Sequence, residues 1–179
     1  MGVRLTAGTM MVGAAILAAG VVAAITSSVH WPFGNHQQSA GPQAPRRYLN
    51  ATACLLTDRS GITPGAPGAP AWKAMQSASL VTHVMVSYLP DTGPATAPVM
   101  LGTLMERKCG VIITAGAPAA AVFKAAKADR HQEFVLVGAP GTASPAGMPN
   151  LVVVSSAAAP GRIDQAIRAL ASRAQSSGT

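Results

Sequence analysis

Two cysteines, four histidines and six carboxylates are the side chains of this 179-residue chain with an obvious capacity for covalent, metal or acid–base chemistry. Their spacing supports little of it. Cys54 and Cys109 form no C-x-x-C, so dithiol redox chemistry and zinc binding find no framework. No two of His30, His36, His83 and His131 stand at the spacing of a helical metal pair. Asp58 ends an apolar run, where a phosphate-accepting aspartate could sit, yet no second acidic residue near it in the sequence supplies a Mg²⁺ site. Gly61, Gly65 and Gly68 spell neither G-x-G-x-x-G nor a P-loop, and Ser60 lies in R-S-G-I rather than in a G-x-S-x-G elbow. The expectation is no catalytic residue, no metal and no cofactor: the chain is not read as an enzyme.

The elements that would position these residues begin after an unusual amino-terminal stretch. Residues 5–45 carry no charged side chain, with Arg4 alone before them. Residues 5–25, LTAGTMMVGAAILAAGVVAAI, are long enough at 1.5 Å per residue to cross a hydrocarbon core of about 30 Å. Val22 and Ala24 make a tolerable cleavage pattern, but the apolar stretch exceeds the roughly 7–15 residues of a secretory h-region. It reads as a transmembrane signal anchor over residues 1–29, placing the remainder outside the cytoplasm, or as a secretory signal if cleaved. Trp31 and Phe33 suit the outer membrane interface. Residues 30–52 lack apolar periodicity and read as a flexible tether. The apparent lipobox Ala51-Thr52-Ala53-Cys54 is dismissed because the apolar segment ends far upstream, at Ile25.

The +7 net charge invites a nucleic-acid reading. Arg46, Arg47, Arg162, Arg168 and Arg173 supply much of it at the two ends of the remainder, and no basic stripe interleaves with aromatics, so nucleic acid is excluded as a partner.

Five short apolar runs predict strands: CLLTD (54–58), VMVSYL (84–89), GVIITA (110–115), EFVLVG (133–138) and LVVVS (151–155). Between them lie segments of helical spacing. One begins near Pro70 and carries Trp72, Met75 and Leu80 inward. The second holds Leu101, Leu104 and Met105. The third holds Ala119, Val122, Phe123 and Ala126, and the last Ile163, Ala166, Ile167 and Leu170. Alternation of this kind predicts an α/β, three-layer αβα sandwich around a mostly parallel five-stranded sheet, in the flavodoxin-like order 2-1-3-4-5. The lobe is drawn over residues 53–173, with a disordered tail at 174–179. Any ligand crevice lies at the carboxyl ends of the strands. Cys54 and Cys109 would be neighbours at the amino edge of this sheet. A structural disulfide is the reading for an oxidising compartment, with two buried free thiols as the alternative.

Residues 57–76, TDRSGITPGAPGAPAWKAMQ, resemble the opening of the basic membrane protein family of solute-binding lipoproteins, which typically reads T-D-x-G-G-x-x-D-x-S-F-N-x-S-A-W-x-G-M. Asp58, Gly61, Ala71, Trp72 and Met75 fall on that pattern without a gap. The stretch 108–128 resembles that family's third strand and following helix, and 133–137 and 150–170 its later ones. The resemblance covers residues 53–171 and implies one lobe of a two-lobed type I periplasmic-binding-protein fold that captures nucleosides or similar small molecules for an ABC importer. The family's ring-stacking Phe falls on Pro67, the following Asn on Gly68, its second Asp on Thr63, and an acidic position after the fourth strand on Gly138, Ala139 and Pro140. An absent aromatic platform forfeits on the order of 1–3 kcal/mol per stacked base.

The crevice is expected from residues 58–68, 89–93, 115–117 and 139–149, with Asp58, Gly61 and Gly116 as candidate ligand contacts. The expected function is a membrane-tethered, extracytoplasmic, non-enzymatic binding or interaction module. The alternative is the substrate-binding component of an ABC importer for nucleosides or similar small molecules. Expected partners are the membrane through residues 5–25, a nucleoside-like small molecule, and a second copy standing in for the other lobe or an ABC permease.

Overall fold

Strands that are apolar without interruption must be covered on both faces, and the structure covers them with two layers of helices. The computed structural model describes residues 47–138, 142 and 145–177. The elements are β1 (Thr52–Thr57), α1 (Gly68–Thr82), β2 (Met85–Pro90), α2 (Ala97–Glu106), β3 (Val111–Ala115), α3 (Ala119–Ala128), β4 (Glu133–Gly138), β5 (Leu151–Ser155) and α4 (Ala159–Ser176). They build one sheet in the order β2-β1-β3-β4-β5. All four pairings are parallel, so the sheet is wholly rather than mostly so.

Successive strand residues point to opposite faces, and two cores result. Ala53 and Leu55 of β1, Val111 and Ile113 of β3 and Val135 of β4 pack under α1 and α4, against Met75, Ile163 and Ile167. Cys54, Leu56, Ile112, Phe134 and Leu136 face the other way, under Leu101 and Leu104 of α2 and Val122 and Ala126 of α3. The three-layer expectation thus rests on a residue-by-residue alternation.

Cys54 and Cys109 are joined as a disulfide, with Cα atoms 5.8 Å apart. The cause is register: Cys54 pairs with Ile112 of β3, and Cys109 leads into that strand while the Gly110 amide donates to Thr52 O at 2.8 Å. A bridge closing 55 residues restricts the unfolded chain by about 4 kcal/mol in the chain-entropy account.

At the opposite end of the sheet from β2, the Asn150 side-chain amide donates to Ala126 O and Asp129 O at 2.9 Å and to Gln132 O at 3.0 Å, clasping the α3–β4 connection to the start of β5. Arg173 of α4 makes two bonds to Glu133, 3.0 and 2.7 Å. Those bonds raise the Arg173 guanidinium above its ordinary value, although a half-exposed pair adds only about 0–1 kcal/mol of stability.

Several expectations are corrected. Leu80 is 59% exposed, because α1 turns Ala71, Met75 and Ala78 inward instead. β2 is an edge strand, and each of its residues is exposed or half-buried. Leu49 packs against the core and donates its amide to His83 O at 2.8 Å, so the lobe starts within the stretch read as tether. α4 continues through Ser176, so residues 174–176 are helical rather than a disordered tail. The expected span at 5–25, the anchor over 1–29 and the tether through residue 46 lie outside the described residues. Among the described residues no helix is long and apolar enough to cross a membrane.

Candidate functional site

In a parallel sheet of this order the loops after the central strands converge at one end. Asp58 follows β1, Asp91 follows β2 and Gly116 follows β3. Together with Arg59, Gly93, Pro94 and Pro118 they border an open cleft of ≈ 300 Å³. Thr57 and Pro90 are register partners in the β1–β2 pair, so Asp58 and Asp91 continue adjacent strands side by side.

Local backbone bonding aims both carboxylates. Asp58 Oδ1 accepts the Ser60 amide at 2.9 Å, and Asp58 O accepts the Gly61 amide at 3.0 Å, a tight turn that fixes the side chain's exit from the strand. Asp91, only 3% exposed, accepts the Gly93 amide at 3.1 Å and the Thr96 hydroxyl through Oδ1, while its own amide donates to Thr57 O at 2.8 Å. In each case one carboxylate oxygen is used by the protein. Among the described residues no hydrogen-bond donor reaches the Oδ2 of either. Arg59 donates to Thr92 O at 3.2 Å, which lays its guanidinium along the rim.

Of the three predicted contacts, Asp58 and Gly116 line the cleft. Gly61 does not: it closes the turn that holds Asp58. Gly116 has φ +84°, and a Cβ there would stand 2.7 Å from Asp58 Oδ2, so a side chain at this position would occupy the carboxylate's space. Gly68, at the start of α1, is pressed against the same loop. A Cβ on it would meet Gly61 O at 2.4 Å, which leaves no room for an asparagine there. Residues 139–141, 143 and 144 of the expected crevice lie outside the described residues. Asp91 falls within the expected crevice segment 89–93 but is not among the predicted contacts, because it is remote from Asp58 along the chain. The available sign was that two adjacent predicted strands each run into an aspartate.

The lining offers two carboxylate acceptors and one guanidinium donor, and it contains no serine, cysteine or histidine. Such a set can bind hydroxyl or ammonium groups. Among the described residues no group of three or more His, Cys, Asp or Glu could hold a metal ion.

No protein-family model matches the sequence, and no curated protein matches it. Among solved structures, a protein described as a lipoprotein (fragment) from Peptoclostridium difficile 630 superposes with a TM-score of 0.57 at 18% identity, over 66% of this chain and 97% of that one. An ABC transporter solute-binding protein from Aeropyrum pernix K1 gives a TM-score of 0.51 at 17% identity, over 57% of this chain and 28% of that one. The chain therefore spans little more than a quarter of the Aeropyrum protein. At these identities the likeness is one of fold alone. The basic membrane protein family is not singled out.

Proposed function

We propose that this chain is a membrane-tethered, extracytoplasmic and non-enzymatic binding module whose ligand surface is the cleft at the ends of β1, β2 and β3. The observation that carries the proposal is the convergence of Asp58, Asp91 and Arg59 on that cleft, with both aspartates already held through one oxygen by backbone amides. Carboxylates anchored in this way are preorganised acceptors, which favours binding a hydroxyl- or amine-bearing solute. The lining supplies no hydroxyl, thiol or imidazole side chain. Placement on the outer side of the cell membrane is supported by the uncharged apolar residues 5–25 and by the Cys54–Cys109 disulfide, which is at home in an oxidising compartment.

A second reading, the solute-binding component of an ABC importer for nucleosides, is favoured by the fold shared with the Aeropyrum protein and by Asp58 standing at the T-D of the basic membrane protein pattern. In either reading a ligand seated in so open a cleft keeps one side in water, so its affinity is modest unless another surface covers it.

Calorimetric titration of the full chain in lipid nanodiscs with adenosine, uridine and ribose tests both. Heat of binding in the wild type that disappears in Asp58→Asn supports capture at this cleft. Silence at millimolar concentration across all three removes nucleoside capture.

A further inference from the structure

An apolar flank runs along the free edge of β2. Of the six large hydrophobic side chains exposed among the described residues, five are Tyr48 or lie between Leu80 and Tyr88, a concentration that marks an interaction surface rather than scattered exposure. Trp72, Gln76 and Leu80 recur at i, i+4 and i+8 on one stripe of α1. Trp72 meets Tyr88 edge-to-face with ring centroids 5.3 Å apart. Tyr48, Lys73, Leu80 and Val86 border one open groove of ≈ 470 Å³ beside them.

The charge around this flank has one sign. No Asp or Glu occurs before Asp58 or between Arg59 and Pro90, and Arg47 and Lys73 are exposed. Asp91, which follows the end of β2, is buried, and Asp164, which shares a groove with Lys73, is bonded to Arg168 at 2.7 Å. In the sequence Arg47 precedes Tyr48, and the apolar run that ends at Ile25 lies upstream.

We propose that this flank docks on the interface of an anionic bilayer, with Tyr48, Trp72 and Tyr88 at headgroup depth and Arg47 and Lys73 against lipid phosphates. Tyr and Trp rings favour that depth because one end is apolar and the other polar. Basic side chains gain from the negative surface potential of anionic lipid. A symmetric second copy fits less well, since it would set Arg47 and Lys73 against a like-charged surface. The proposal rests on the membrane-tether reading.

The test uses the full chain carrying Trp31→Phe, which leaves Trp72 as its one tryptophan. It is incorporated into vesicles of phosphatidylcholine and phosphatidylglycerol whose acyl chains are brominated close to the headgroup. Flotation after a carbonate wash reports the tether, and quenching of Trp72 reports docking. Docking predicts emission lowered relative to the same chain in unbrominated vesicles, because the Trp72 ring then sits at headgroup depth. It also predicts recovery in the Lys73→Glu, Leu80→Glu double variant, whose fold is checked by an unchanged far-ultraviolet circular dichroism spectrum and a cooperative urea transition. A chain that floats with Trp72 unquenched overturns docking and leaves the tether standing. Concentration-dependent shielding of Trp72 from acrylamide, without bromine quenching, overturns it in favour of a second copy. A chain that does not float overturns both.

Discussion

The carboxylate of Asp58 occupies the space that any side chain at position 116 would need, since a Cβ on Gly116 would stand 2.7 Å from Asp58 Oδ2 and 2.9 Å from its Cγ. The backbone at Gly116, with φ +84°, is one that other residues adopt at a cost of roughly 1–2 kcal/mol. Gly116→Ala is therefore expected to lower stability by at least that amount and to displace Asp58. Urea denaturation measures the first effect. The second would appear as weakened ligand binding beyond what the loss of stability explains.

The disulfide is the second point of test. Neither Cys54 nor Cys109 should react with an alkylating agent in the protein isolated without reductant, as read by mass spectrometry. Removing the bridge through Cys54→Ser with Cys109→Ser should cost about 2–5 kcal/mol, with the fold itself retained because Cys54 lies inside an intact parallel register and Cys109 just before β3, the strand that Cys54 pairs with.

Asn150 provides a charge-specific test. Its side-chain amide serves three carbonyls, so Asn150→Ala, which leaves buried acceptors unpaired, should cost about 1–3 kcal/mol. Asn150→Asp should cost more at neutral pH, because a carboxylate would face three carbonyl oxygens. Its ionised form being disfavoured in the fold, the introduced acid would have a folded pKa above its unfolded one. The variant's relative stability should then be best in acid and fall as pH rises. Denaturation midpoints across pH give the slope, and a slope of opposite sign would refute the clasp.

Met75, fully buried between α1 and the sheet, tests the core under α1 and α4. Met75→Ala should destabilise by about 2–5 kcal/mol. Leu80→Ala, at an exposed position of the same helix, should change stability by less than about 0.5 kcal/mol. The two together measure which stripe of α1 faces inward.

That stripe shows where the sequence was legible and where it was not. The strands could be read because apolar runs such as VIITA and FVLV have no other use in a chain so poor in aromatics, and the strand order placed Cys54 beside Cys109 before any coordinates. α1 was read correctly at Met75, which is buried, and at Trp72, which is half-buried against the core, but misread at Leu80, where weight was given to a large side chain. The helix actually lies close to the sheet and α4 on Ala71, Ala78 and Met75, and sends Leu80 out along the stripe of Trp72 and Gln76. Asp58 and Gly116 were legible as loop residues at strand ends. Asp91 was legible only as part of the crevice segment 89–93; its pairing with Asp58 was not, because that depends on β2 lying beside β1 in a particular register, which a search for acids close in the chain does not test.

The central claim is that the strand-end cleft is the ligand surface. It is tested most directly by following backbone amide resonances of the full chain in nanodiscs while adenosine, uridine or ribose is added to millimolar concentration. The account predicts saturable shifts at Ser60, Gly93 and Gly116, lost in both Asp58→Asn and Asp91→Asn. Unmoved resonances at those three amides, or shifts confined to another face and indifferent to either substitution, would contradict it.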